Sequence, residues 1–148
     1  MDFNKQGFVK LTKANVREMF DLCNQRYFDG QIKPPKLIQL FTPRRTTLAM
    51  VRPLFNKNTQ QYSASLHFSN LYNWTAENME KVMVHEMIHL SICDYLQPLR
   101  WWKRIFPFTI NEHDSDFIEM MNDLNQRYGL YIKVRFKEMR KYLKQRKR

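Results

Sequence analysis

The chain has 148 residues, 43% of them hydrophobic and 14% aromatic, and 25 Lys and Arg against 14 Asp and Glu give a formal charge of +11. That length suits one domain with a single core; it is short for two domains of usual size and too apolar for a wholly disordered chain. Two cysteines, Cys23 and Cys93, exclude a disulfide framework and a four-cysteine zinc ribbon.

The charge is concentrated at one end. From Lys133 to Arg148 there are nine basic residues against one acid, Glu138, so this stretch carries +8 and residues 1–132 carry the remaining +3. The organisation expected is a domain over 1–132 and a basic C-terminal extension over 133–148, helical and not an independent domain. No internal repeat, low-complexity tract or Gly/Ser linker stands out.

In chain order, Thr12 predicts the N-cap of a first helix, with apolar positions at Val16, Met19, Phe20, Cys23 and Tyr27 and Gly30 just past its end. Three short strands follow, at Leu37–Phe41, Thr47–Val51 and Tyr62–Phe68, with a turn at Asn56–Gln60. The third alternates Tyr62, Ala64, Leu66 and Phe68 with Gln61, Ser63, Ser65 and His67. Its His67 falls on the polar side and reads as a surface residue. A long helix starts near Thr75, runs to about Tyr95 and is stopped by Pro98; being apolar on nearly every side from Val82 to Cys93, it belongs in the middle of the fold. Cys23 and Cys93 both lie in helical apolar patterns, which predicts core thiols in a reducing compartment. A last amphipathic helix spans roughly 114–128 and is closed by Gly129. Helix, strands, buried helix, helix is an α+β order.

The opening MDFNKQGFVK has no apolar run of signal-peptide type, and Val82–Cys93, broken by His85, Glu86 and His89, is too short for a membrane span. The expectation is an intracellular protein, cytoplasmic or nucleoid-associated and not secreted, without a membrane partner.

The chemistry is written in the long helix. His85-Glu86-Met87-Ile88-His89 is an H-E-x-x-H motif. Residues four apart on a helix are displaced by about 40° and lie roughly 6 Å apart, so both imidazoles can reach one ion. Zn²⁺ takes imidazole nitrogen and needs three protein ligands when catalytic. Glu86, about 100° around the helix from His85, is placed to act as general base on water rather than as a ligand. A solvated surface helix with the same five residues is the bland alternative; the apolar surroundings Val82, Met83, Val84, Ile88, Leu90 and Ile92 speak against it, because unpaired polar groups are expensive when buried.

A third ligand must come from elsewhere, and Asn111–Phe117 places His113 and several carboxylates at the start of the last helix. His113 and Glu112 are both suitable by type, since His₃ and His₂Glu are each established zinc sets. Asp116 reads either as a partner orienting a ligand imidazole or as an acid favoured at a helix start.

At this point the sequence resembles a known family. Asn24-Gln25-Arg26-Tyr27-Phe28-Asp29-Gly30-Gln31-Ile32 is similar to the N-x-x-[YF]-F-x-G-x-[LI] segment of the SprT-like zinc metalloproteases, which include the Spartan DNA-protein crosslink proteases. Thr42-Pro43-Arg44 with its following strand, Val84–His89, and Glu112-His113-Asp114-Ser115-Asp116-Phe117 resemble further parts of the pattern in order. The resemblance implies a single zincin-like domain, one zinc ion bound by His85, His89 and His113, Glu86 as catalytic base, and hydrolysis of peptide bonds in a protein substrate. In related zincins an edge strand binds substrate by backbone pairing, a role the third strand suits. Two departures stand out: Asp114 replaces the family's usual Gly, and the family's zinc ribbon is missing.

Two regions suggest a nucleic-acid partner, single- or double-stranded DNA. Arg100, Trp101, Trp102, Lys103 and Arg104 mix cations with rings that stack on bases, and also suit a loop packed on the core or a cover over the cleft. In the tail, Arg140, Lys141 and Lys144 surround the apolar stripe Phe136, Met139 and Leu143, which predicts a helix docked by the stripe with a basic face toward phosphates. The reading is a zinc endopeptidase acting on DNA-associated or DNA-crosslinked proteins. The alternatives are a nucleic-acid-binding module with a structural zinc and a zinc hydrolase of another substrate class.

Overall fold

The computed structural model describes residues 7–42, 47–99 and 115–136. Helix α1 spans Lys13–Tyr27, strands β1, β2 and β3 span Leu37–Phe41, Ala49–Asn56 and Gln61–Ser69, helix α2 spans Ala76–Ile92, a 3-10 turn covers Asp94–Leu99, and helix α3 spans Ser115–Tyr128. The class is α+β, as the element order predicts.

The helix starts follow from their caps. Thr12 and Thr75 are extended, and their hydroxyls accept from the amides of Asn15 and Asn78, at 3.0 and 3.1 Å, satisfying donors that the first turns leave open. Val16, Met19, Phe20 and Cys23 form the buried face of α1. Its end is turned by Asp29 and Gly30, both left-handed at φ 53° and 70°.

The sheet is mixed, in the order β1-β3-β2, with β1 parallel and β2 antiparallel to β3. Strand β2 begins two residues later than Thr47 and continues five past Val51. It passes through Pro53, which an edge strand tolerates because one side of it has no ladder partner to lose. The Asn56 carboxamide oxygen accepts from the amides of Asn58 and Thr59, at 2.9 and 3.3 Å, which closes the expected turn. Strand β3 is central, with β1 on one side and β2 on the other. From Ser65 to Phe68 it is paired on both sides, so over that stretch the open edges of the described sheet belong to β1 and β2, and β3 is not the edge strand expected. Centrality also explains why Ser65 and Ser69 are buried while Tyr62, at the hairpin end, is exposed.

Helix α2 packs against α1, α3 and β2, the central position expected from its composition. Met79, Val82, Met83, Val84, Met87, Ile88 and Leu90 are buried in it, against Phe20, Leu66, Phe68 and Trp74. The helix stops at Ile92, before Pro98, because Cys93 adopts a left-handed conformation (φ 53°, ψ 30°). That corner leaves Cys93 exposed rather than in the core, whereas Cys23 is buried as expected. Burial pushes the Cys23 thiol pKa upward, with the nearby Glu80 adding to the shift.

A short recurrence links the two ends of the chain. Asn-Gln-Arg-Tyr occurs at 24–27 and again at 125–128, in both cases at the end of a helix. The rings of Tyr27 and Tyr128 meet edge to face at 5.1 Å. The Tyr27 hydroxyl donates to Glu80 of α2, and Arg26 lies 3.7 Å from the same carboxylate. In each copy the asparagine carboxamide holds the backbone of a later isoleucine, Asn24 that of Ile32 and Asn125 that of Ile132.

After α3, Gly129 (φ 65°) turns the chain back and residues 131–136 alternate. Ile132 and Phe136 are buried, while Tyr131, Lys133 and Arg135 face outward. The start of the basic extension is thus non-helical and Phe136 belongs to the core. Met139, Leu143 and the predicted tail helix lie outside the described residues.

Candidate metal centre

Helix α2 brings the H-E-x-x-H side chains together inside the fold. His85 is 7% and Glu86 6% exposed, a degree of burial that a solvated surface helix does not show. The His85 and His89 rings stand one turn apart with centroids separated by 5.2 Å and planes at 67°. Phe117 of α3 packs on both, 4.9 Å from His85 and 4.6 Å from His89, and Phe136 lies 5.5 Å from His85. Two aromatic rings thus wall the imidazoles.

Each imidazole is anchored through Nδ1. His85 Nδ1 donates to the Lys133 carbonyl oxygen at 2.8 Å. A carbonyl only accepts, so Nδ1 carries the proton and, in the neutral ring, the lone pair belongs to Nε2. His89 Nδ1 lies 2.7 and 2.9 Å from the two carboxylate oxygens of Asp94, whose side chain is only 6% exposed. Carboxylate oxygens accept, so Nδ1 is the donor here too and the tautomer is the same.

This is the arrangement that a metal-binding histidine needs. Its second nitrogen is fixed by a carboxylate or a carbonyl, which orients the ring and raises the basicity of the ligating atom. The donor chemistry therefore fits a divalent ion that prefers imidazole, zinc first. Asp94 reaches His89 because of the left-handed corner at Cys93, which folds the residue after the helix back over its last turn. Beside it, burial and Cys93 raise the Tyr95 hydroxyl pKa to about 12.

Among the described residues no three His, Cys, Asp or Glu side chains stand together in a way that could hold a metal ion. The described part supplies two imidazoles. His113 and its rival Glu112 lie outside the described residues, as do Arg100, Trp101, Trp102, Lys103, Arg104, Arg140, Lys141 and Lys144. Asp116 is exposed in the first turn of α3, the place that the helix dipole favours for an acid.

His67 is only partly exposed and more engaged than a surface reading implies. Its Nε2 pairs with Ser65 Oγ at 2.8 Å and its ring meets Phe41 at 5.9 Å; burial, with Arg52 nearby, lowers its pKa.

Two anchors of the site escape a reading by motif. Asp94 had one usable signal, an acid directly after the last apolar residue of the H-E-x-x-H helix. The Lys133 carbonyl had none, since any residue supplies one. Among the described residues no helix is long and apolar enough to cross a membrane. Neither a family model nor a curated protein matches this chain.

Proposed function

We propose that this chain is a zinc-dependent endopeptidase with a zincin-like, SprT-like fold, acting on proteins associated with or crosslinked to DNA. The observation that carries the reading is the paired anchoring of His85 and His89 through Nδ1, with the buried Glu86 between them in sequence. A merely structural zinc site has no use for that carboxylate, which favours turnover over a binding module.

In this account His85 and His89 would hold zinc through Nε2, and His113 would be the third ligand. Zinc, when bound, polarises the scissile carbonyl and makes water nucleophilic near neutral pH. The Glu86 carboxylate takes a proton from the attacking water and returns it to the departing amine nitrogen, so no covalent intermediate is needed. Phe117 and Phe136 keep the imidazoles in an apolar wall, where electrostatic interactions are strong. Of the two edge strands, β1 packs on α1 while β2 packs on α2 and on the turn that carries Asp94, so β2 is the edge suited to pairing with an extended substrate.

The nucleic-acid part rests on charge. The +8 extension begins with Lys133 and Arg135 at the surface, beside the exposed Tyr131 and with Lys81 5.8 Å above its ring. Cations beside an exposed ring suit phosphate neutralisation and base stacking.

Cleavage of casein and of a DNA-binding protein, with and without single-stranded DNA and chelator, tests the proposal. Wild type is expected to cleave, chelator to abolish cleavage, and Glu86→Gln to lose at least about 100-fold in rate while retaining zinc. Full activity in zinc-loaded Glu86→Gln, or cleavage insensitive to chelator, contradicts it. Salt-sensitive DNA binding without any cleavage supports the binding module. Deleting residues 137–148, which spares the packed Phe136, is expected to flatten the salt dependence of DNA binding.

A further inference from the structure

The anchor of His85 comes from a backbone atom, and something must hold that backbone in place. Helix α3 ends at Tyr128 and Gly129 reverses the chain. Three residues later the Asn125 carboxamide grips Ile132 on both sides: its oxygen accepts from the Ile132 amide at 2.8 Å, and its Nδ2 donates to the Ile132 carbonyl at 2.9 Å. The next carbonyl along the chain, that of Lys133, accepts from His85 Nδ1. Ile132, 2% exposed, and Phe136, 9% exposed, pin the same segment to the core.

We infer that Asn125 is a positioning residue for His85, acting through Ile132 and Lys133. The inference rests on the zinc reading above for its meaning, but the contact chain is independent of metal. A carboxamide has one acceptor and one donor in a plane, so it can stand in for a neighbouring strand and fix both the position and the direction of one residue. With Ile132 fixed, the orientation of the following carbonyl is restricted, because only two backbone dihedrals separate them. The proton on His85 Nδ1 then has a fixed acceptor, and the ring a fixed tautomer and tilt.

The molecule contains its own control. Asn24 makes the same double clamp on Ile32, at 3.1 and 2.9 Å, at the end of α1, and Ile32 leads to β1 rather than to a histidine. Loss of either clamp removes comparable hydrogen bonds. Only loss of the Asn125 clamp releases the Lys133 carbonyl.

The test uses the full chain in Asn125→Ala, Asn24→Ala and Asn125→Asp. The first readout is the ¹⁵N signature of the His85 ring in metal-free protein at about pH 8, above the ordinary imidazole range. The second is zinc affinity by competition with a chromophoric chelator. Wild type and Asn24→Ala are expected to show the Nδ1–H tautomer of His85. Asn125→Ala is expected to mix the tautomers and to weaken zinc binding about 10–100-fold, the usual effect of losing a partner behind a ligand. Asn125→Asp keeps the acceptor for the Ile132 amide, so an intermediate loss is expected; it also carries the test if the alanine variant fails to fold. A wild-type tautomer in both Asn125 variants overturns the inference, as does an equal loss of zinc affinity in Asn24→Ala. If wild type itself binds no zinc, the zinc reading falls, while the tautomer still decides the role of Asn125.

Discussion

His85 and His89 lie one turn apart on the same helix, yet they are held in opposite ways. His89 is fixed by a side chain five residues downstream, Asp94, which reaches back around the corner at Cys93. His85 is fixed by a main-chain carbonyl 48 residues downstream, in a segment that another helix must clamp. The first anchor is local and belongs to one residue. The second is distributed over Asn125, Ile132, Lys133 and Phe136. A point substitution can delete the Asp94 anchor outright, whereas no change of side chain at 133 removes a carbonyl oxygen.

The largest effect is expected at the element that the two histidines share. Phe117 is fully buried and touches both rings, so Phe117→Ala leaves a cavity beside both imidazoles and costs about 3–5 kcal/mol in denaturant unfolding. Asp94→Ala comes next. It is expected to weaken zinc binding about 10–100-fold, with Asp94→Asn losing less because one acceptor oxygen remains. Lys133→Ala is expected to leave zinc affinity at the wild-type value, since His85 uses only the backbone there. Equal losses in Asp94→Ala and Lys133→Ala would break the contrast between the two anchors.

The fold was legible where local signals decide it. Thr12 and Thr75 cap their helices, Gly129 follows the last one, and the continuous apolar character of Val82–Cys93 marks the buried helix. It was less legible where tertiary context decides. Pro53 reads as the end of a strand and is tolerated only because β2 lies at an edge. Cys93 carries no helix-stop signal in its residue type, and its left-handed backbone is what delivers Asp94. For the candidate site, spacing within one helix identified His85, Glu86 and His89. Their anchors come from elements whose approach no spacing encodes. The four-residue recurrence Asn-Gln-Arg-Tyr, too short to stand out as a repeat, gains its meaning only from the structure, where it marks both clamps.

His67 supplies the smallest effect and a reference outside the site. Burial, with Arg52 adding to it, lowers its pKa in the folded state, so the folded protein binds this proton less readily than the unfolded chain. Its contribution is fully present above the unfolded value of about 6.5 and is lost as pH falls through the lowered folded value. Stability is therefore expected to decline on acidification, and His67→Asn is expected to decline less steeply over that range. Parallel curves from denaturant unfolding at stepped pH would assign the slope to other groups.

The central claim is that the imidazoles of α2 hold a metal. Equilibrium titration of metal-free protein with zinc tests it most directly, comparing wild type with His85→Ala and His89→Ala. One ion per wild-type chain and a loss of at least about 100-fold in affinity in each variant is the predicted result. Tight binding that survives both substitutions, or no binding by wild type, contradicts it.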